Sequence, residues 1–185
     1  MGLRAVAALR AFTGFLTLFL AFALRSEPIS DSMSTYAVIG LVVGAAGIGN
    51  TIGTSLGAVL ARLTPEVVVT AMVGLAAIGA TVGSVGYGLA PVLATGAAAG
   101  FASALGKLSL DALVQREVPE EVRTSAFARS ETVLQLAWVI GGAIGITVPL
   151  SGQWGLALAA VGLLAALVVT VRSLARSRRP AVAQG

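Results

Sequence analysis

The sequence predicts an all-α, polytopic membrane protein of six transmembrane helices, and three observations carry that prediction. Hydrophobic residues make up 57% of the 185 residues and charged ones 11%, with a mean hydropathy of +0.95, whereas soluble domains are about half apolar and about a quarter charged. Six prolines, Pro28, Pro65, Pro91, Pro119, Pro149 and Pro180, each fall at the edge of an apolar run, where a residue that cannot continue a helix belongs. The runs between them are each near the ~20 residues that cross a bilayer as helix. Barrel strands would be about half that length and would alternate in polarity.

Taken in order, the runs cover about 3–25, 36–61, 66–89, 92–115, 125–149 and 153–173, a bundle within 1–175 followed by a basic cytoplasmic tail over 176–185. The first run has the look of a secretory signal, with basic residues ahead of Phe12 to Leu24. Arg25-Ser26-Glu27-Pro28 lacks a small-x-small cleavage pattern, however, and five more spans follow, so it reads as an uncleaved helix. Arg10 lies inside this helix and reads as a side chain snorkelling to the headgroups. With the amino terminus inside, Arg4, Arg10, Arg62, Arg116, Arg123, Arg129, Arg172, Arg176, Arg178 and Arg179 fall on the inner side and Arg25 alone on the outer. That asymmetry puts both termini in the cytoplasm of a cell-membrane protein. The run from Arg172 to Arg179 is then a topology anchor first and an anionic-lipid contact second.

The same counts exclude chemistry. Cysteine and histidine are absent, which removes disulfides, thiol nucleophiles, Cys and His metal ligands and Ser-His catalysis. No nucleotide-binding fingerprint appears, and Asp111 and Glu131 are the only carboxylates placed for a membrane enzyme. The expectation is a protein with no catalytic residue, metal or cofactor. A net charge of +4 raises nucleic acid as a partner, but the basic residues lie at segment ends with no aromatic interleaving, which fits a lipid bilayer better.

Small residues mark where helices touch. The second run carries Gly40 and Gly44, then Gly49, Gly53 and Gly57 at four-residue spacing, a bare-backbone stripe that another helix can approach closely, and such a helix is expected to be central. The same spacing recurs at Gly79 and Gly83, Gly96 and Gly100, and Gly141 and Gly145. Between the stripe's glycines sit Asn50, Thr51, Thr54 and Ser55. They either line a polar path or bond back to their own helix carbonyls.

Charge is concentrated in one place: the 26 residues from Gly106 to Glu131 hold nine of the twenty formal charges, a polar hinge between the fourth and fifth helices. Lys107, Asp111 and Gln115 are spaced i, i+4, i+8 and share one helix face, with Lys107 only ~5 Å past the helix midpoint. Glu131 and Gln135 form a similar pair on the fifth helix, Glu131 at a depth near that of Asp111. Trp138 lies one turn further on, where it either stacks on a solute or packs. Charges at that depth must face protein or water. They form either a static clip between helices or a network that gates or carries protons.

The stretch Gly106 to Gly145, with Asp111, Val114-Gln115, Val118-Pro119, Arg123, Ala126-Phe127-Ala128, Glu131 and Gly141-Gly142-Ala143-Ile144-Gly145 in that order, resembles the region joining the tenth and eleventh helices of major facilitator superfamily transporters, particularly bacterial exporter branches. Leu9 to Phe15 resembles the start of the seventh helix of that family, and Gly57 to Pro65 resembles its cytoplasmic loop motif, departing from it at Ala61, where the family often has Asp. The resemblance implies the carboxy-terminal six-helix half of a transporter, built of two inverted three-helix repeats. Such a half works by rocking against another half, or against a second copy, around a midplane cavity. It makes Asn50, Thr54, Lys107, Asp111, Gln115, Glu131, Gln135 and Trp138 candidate cavity or gating residues for small solutes. Gly57, Arg62, Arg116, Arg123 and Arg129 become cytoplasmic-loop residues, and Gly49, Gly53 and Gly57 packing residues. The alternative reading is a non-transporting membrane scaffold or partner subunit, or a fragment of a transporter.

Overall fold

The computed structural model describes residues 2–60, 63–149 and 151–177, and among these every regular element is an α-helix. The six are α1 (Gly2–Ser26), α2 (Thr35–Leu60), α3 (Pro65–Val85), α4 (Leu89–Glu117), α5 (Glu120–Thr147) and α6 (Gly152–Ser177). Each is long and apolar enough to cross a membrane. The chain is thus a six-helix, multi-pass membrane bundle in composition and length.

Proline and glycine set the ends, though not always where expected. Pro65 occupies the first turn of α3, where its missing N–H costs nothing. By the same logic Pro91 sits inside the first turn of α4, which starts at Leu89 and not after the proline. Pro119 is the N-cap residue of α5, so that helix takes in the acidic residues Glu120 and Glu121, favourable at the positive end of the dipole. It therefore begins at Glu120 and not near 125. Gly86 stops α3 at Val85, its N–H donating to Val82 O. The sixth helix continues into the expected tail as far as Ser177; residues 178–185, with Arg178 and Arg179, lie outside the described residues.

α1 and α4 touch at the centre. α2 packs along α4, α5 packs along α1, and α3 and α6 pack on each other, with α3 also on α4 and α6 more lightly on α1. The interior is built from Leu9, Phe12, Phe15 and Phe19 of α1 with Leu110, Leu134 and Leu156 from other helices. Phe15 and Phe19 stack with centroids 5.0 Å apart.

The glycine stripe on α2 has one neighbour. A Cβ on Gly49 would lie 2.1 Å from Ala97 O and one on Gly53 2.9 Å from Phe101 O, so backbone meets backbone on α4; Gly57 meets the Leu108 side chain, whereas Gly40 and Gly44 face open space. This corrects the expectation of a central second helix. Half of the spanning windows of α1 and α4 is buried against 22% for α2, because the stripe serves α4 alone and leaves the rest of the helix uncovered.

The α5–α1 contact repeats that geometry. Gly141 approaches Ala11 O and Gly145 approaches Phe15 O, as Gly49 and Gly53 approach Ala97 and Phe101; Gly14 approaches Trp138 O as Gly100 approaches Ala46 O. A shift of 86 residues carries Ala11, Gly14 and Phe15 onto Ala97, Gly100 and Phe101, and a shift of 92 carries Ala46, Gly49 and Gly53 onto Trp138, Gly141 and Gly145.

Candidate functional site

The i, i+4 spacing on α4 does what a helix requires of it. Lys107 Nζ donates to both Asp111 oxygens at 2.7 and 2.9 Å. It also lies 3.5 Å from Glu131 Oε2 across on α5. Glu131 in turn accepts from Gln135 Nε2 at 3.2 Å. One ammonium therefore ties two carboxylates on two helices that otherwise touch little. Lys107 lies about 6 Å, and Glu131 about 4 Å, from the middle of its helix, so the cluster sits deep in the span. The side chains of Lys107 and Asp111 are only about a quarter exposed and that of Glu131 is 44% exposed. The cluster is thus partly screened by protein and partly exposed.

The other expected residues distribute around it. Gln115 is exposed one turn beyond Asp111, and Trp138 is half-buried with its carbonyl against Gly14. On α2, Asn50 and Thr54 are exposed, and Thr54 donates to Asn50 O at 2.9 Å and reaches its Oδ1 at 3.3 Å. Thr51 and Ser55 donate to Gly47 O and Thr51 O, each at 2.9 Å. These hydroxyls donate to their own helix, and the Asn50 amide stands exposed beside them. Arg10 has a buried Nε with no hydrogen-bond partner among the described residues. It is half-buried on α1 near the depth of Lys107, so simple snorkelling does not describe all of its guanidinium.

The loop residues form a second group at the opposite end of the bundle from Arg25. Arg116 pairs with Glu66, at the start of α3, and with Glu117 at 2.9 Å, bridging the ends of α3 and α4. Arg123 reaches back to Val118 O, 3.3 Å from both Nε and Nη2, and closes the α4–α5 turn. Arg129 is exposed. Ala61 and Arg62 lie outside the described residues.

At the Arg25 end, Glu27 Oε2 accepts from Gly152 N at 2.9 Å, placing a carboxylate at the positive end of α6. The Tyr87 ring lies directly against Gly152. Its Oη is buried without a hydrogen-bond partner among the described residues, and burial, followed by the charge of Glu27, pushes its pKa up to about 12. Sequence reading missed this contact because its members come from three separate loops. It missed the paired shifts as well, although their signal is present: Ile-Gly-x-x-Ile-Gly occurs at 48–53 and at 140–145, and Ala-x-x-Gly-Phe at 11–15 and at 97–101.

Fold and site together define the class: a multi-pass membrane protein of six spanning helices with an ion cluster inside the span. No family model matches the chain. It is similar to a Mycobacterium leprae protein described as uncharacterised, 41% identical over 143 residues that cover 76% of this chain and 24% of that protein. It is also similar to an uncharacterised protein of Mycobacterium tuberculosis, 60% identical over 35 residues, 19% of this chain and 6% of that protein. The chain thus spans about a quarter of the Mycobacterium leprae relative that it matches.

Proposed function

We propose that this bundle is one half of a secondary transporter of the major facilitator kind, moving small amphipathic solutes by alternating access against a second six-helix bundle. The observation that carries the proposal is the Lys107–Asp111–Glu131 cluster, because ionised groups at that depth are tolerated when they line a watery path or a protein partner. The matched contacts of α2 on α4 and of α5 on α1 support two inverted three-helix repeats. Consecutive spans alternate in direction, so a helix and its equivalent three places on run oppositely. The Mycobacterium leprae relative, of which this chain matches 24%, has room for a second bundle. In this reading Lys107, Asp111 and Glu131 gate the cavity, while Asn50, Gln135 and Trp138 line it and Arg116 holds the cytoplasmic ends of α3 and α4. The protein does no covalent chemistry, and both termini face the cytoplasm of the cell membrane.

The test is solute efflux from cells or proteoliposomes carrying the protein with whatever bundle co-purifies with it. Charge-neutral Asp111→Asn is expected to lower flux at unchanged membrane abundance. Wild-type flux in that variant would remove the cluster from the mechanism.

A further inference from the structure

The seam between α1 and α6 holds two cavities in line. At the basic end, Arg4 of α1 and Arg172 and Arg176 of α6 surround a pocket of about 280 Å³ that also takes in Ser173. Deeper along the same helices lies a groove of about 420 Å³ lined by Ala8, Ala11 and Phe15 of α1, by Leu158 and Gly162 of α6 and, on its third side, by Gly141 of α5, with almost no polar surface. The residues fall on continuous stripes. Arg4, Ala8, Ala11 and Phe15 are spaced i, i+4, i+7, i+11, and Leu158 and Gly162 stand two heptads above Arg172 and Arg176 respectively, which keeps each set on one helix face. By the helical rise, the groove on α1 begins about 6 Å below Arg4 and ends about 17 Å below it.

We infer that this seam is a binding site for one anionic phospholipid, its phosphate held by Arg4, Arg172 and Arg176 and one acyl chain lying in the groove. Charge makes the choice of occupant. Among the described residues the pocket is lined by three arginines and no carboxylate, and none of the three makes an ion pair. The helix dipole accounts for Arg176, in the last turn of α6, but not for Arg4, which stands in the first turn of α1 where the dipole disfavours a cation. An anion between them is favoured by all three side chains. A soluble anion would leave the apolar groove unexplained, whereas a lipid fills both cavities at the depths its headgroup and chain occupy. The inference rests on the bundle lying in a membrane and holds whether or not it transports.

The experiment is native mass spectrometry of the full-length protein released from nanodiscs that mix phosphatidylglycerol with phosphatidylcholine. One phosphatidylglycerol is expected to stay bound in preference to phosphatidylcholine. Arg172→Gln with Arg176→Gln should weaken its retention roughly five-fold per arginine, from the ~1 kcal/mol that each basic residue contributes near a lipid surface. Gly162→Leu fills the groove without touching the headgroup pocket; a Cβ there meets nothing within 4 Å, so the fold tolerates it, and retention should fall while circular dichroism stays unchanged. Added inorganic phosphate should not displace the lipid. Equal retention of the two lipids, wild-type retention in the double arginine variant or in Gly162→Leu, or displacement by phosphate alone would each overturn the assignment.

Discussion

Two alanines placed on opposite sides of the bundle test whether its two tightest helix contacts are equivalent. Gly49→Ala would put a methyl 2.1 Å from Ala97 O, and Gly141→Ala one 1.9 Å from Ala11 O. Each is more than 1 Å inside ordinary contact, and the obstacle is backbone on both sides, so the helices must part. Overpacking against backbone falls in the upper part of the usual range, about 2–3 kcal/mol, and the better helix propensity of alanine returns ~1, leaving a loss of about 1–2 kcal/mol for each variant. For a chain of this length that lowers Tm by about 2–8 °C. Gly44→Ala is the control: its Cβ meets nothing within 4 Å, and propensity alone should stabilise by about 0.5–1 kcal/mol. Thermal unfolding of all three in one lipid or detergent reads the result. Equivalent contacts predict that the Gly49 and Gly141 variants lose similar amounts while the Gly44 variant gains. One of the first two at wild-type stability, with the other destabilised, would refute the equivalence.

Three further outcomes follow from the polar contacts. Lys107→Met leaves Asp111 and Glu131 facing each other without a cation; after discounting the 3–5 kcal/mol of a fully buried pair for their partial exposure, we expect a loss of about 1–3 kcal/mol. Adding Asp111→Asn should recover part of it, and a double-mutant cycle on unfolding measures the coupling. Glu27→Gln removes a charged acceptor from the first turn of α6 and should cost about 1 kcal/mol in the same assay. Tyr87 titrates higher when folded, so its neutral form is the one the fold favours. That contribution is complete below the ordinary tyrosine value near 10 and is lost as pH rises to about 12. Stability should therefore fall across that window by about 1 kcal/mol after allowance for solvent screening, and Tyr87→Phe, which also removes an unpartnered hydroxyl, should flatten this part of the profile.

Much of the architecture was legible because the physics that sets it is local. Apolar runs of membrane length punctuated by proline specify six helices, and the spacing of Lys107 and Asp111 specifies their ion pair. The expected start of α4 falls too late because proline is harmless in a first turn, where Pro91 lies, and that of α5 falls too late because the charged residues after Pro119, which read as a polar hinge, form its first turn. The Gly49, Gly53, Gly57 stripe was visible, but a stripe says only that something comes close. That its neighbour is α4 alone, and that α2 sits at a flank, depends on packing far along the chain. The same holds for Glu27 with Gly152, 125 residues apart, and for the α1–α6 seam, whose lining comes from opposite ends of the sequence and from α5. The hydroxyls of Thr51, Thr54 and Ser55 donate to carbonyls of their own helix, a local arrangement that the sequence spacing allows and that hydrogen-bond geometry shows.

The most direct test of the central claim is the native mass of the protein drawn gently from its own membrane, with every co-purifying polypeptide identified and Glu131 probed by a single cysteine. These 185 residues hold no cysteine, so labelling by a water-soluble thiol reagent, located by peptide mapping, reports that position alone within the bundle. The expected result is a second six-helix bundle in the same particle, on the same or another chain, and a Glu131 position that labels and is protected by transported solute. A lone bundle whose Glu131 position never meets water would contradict it.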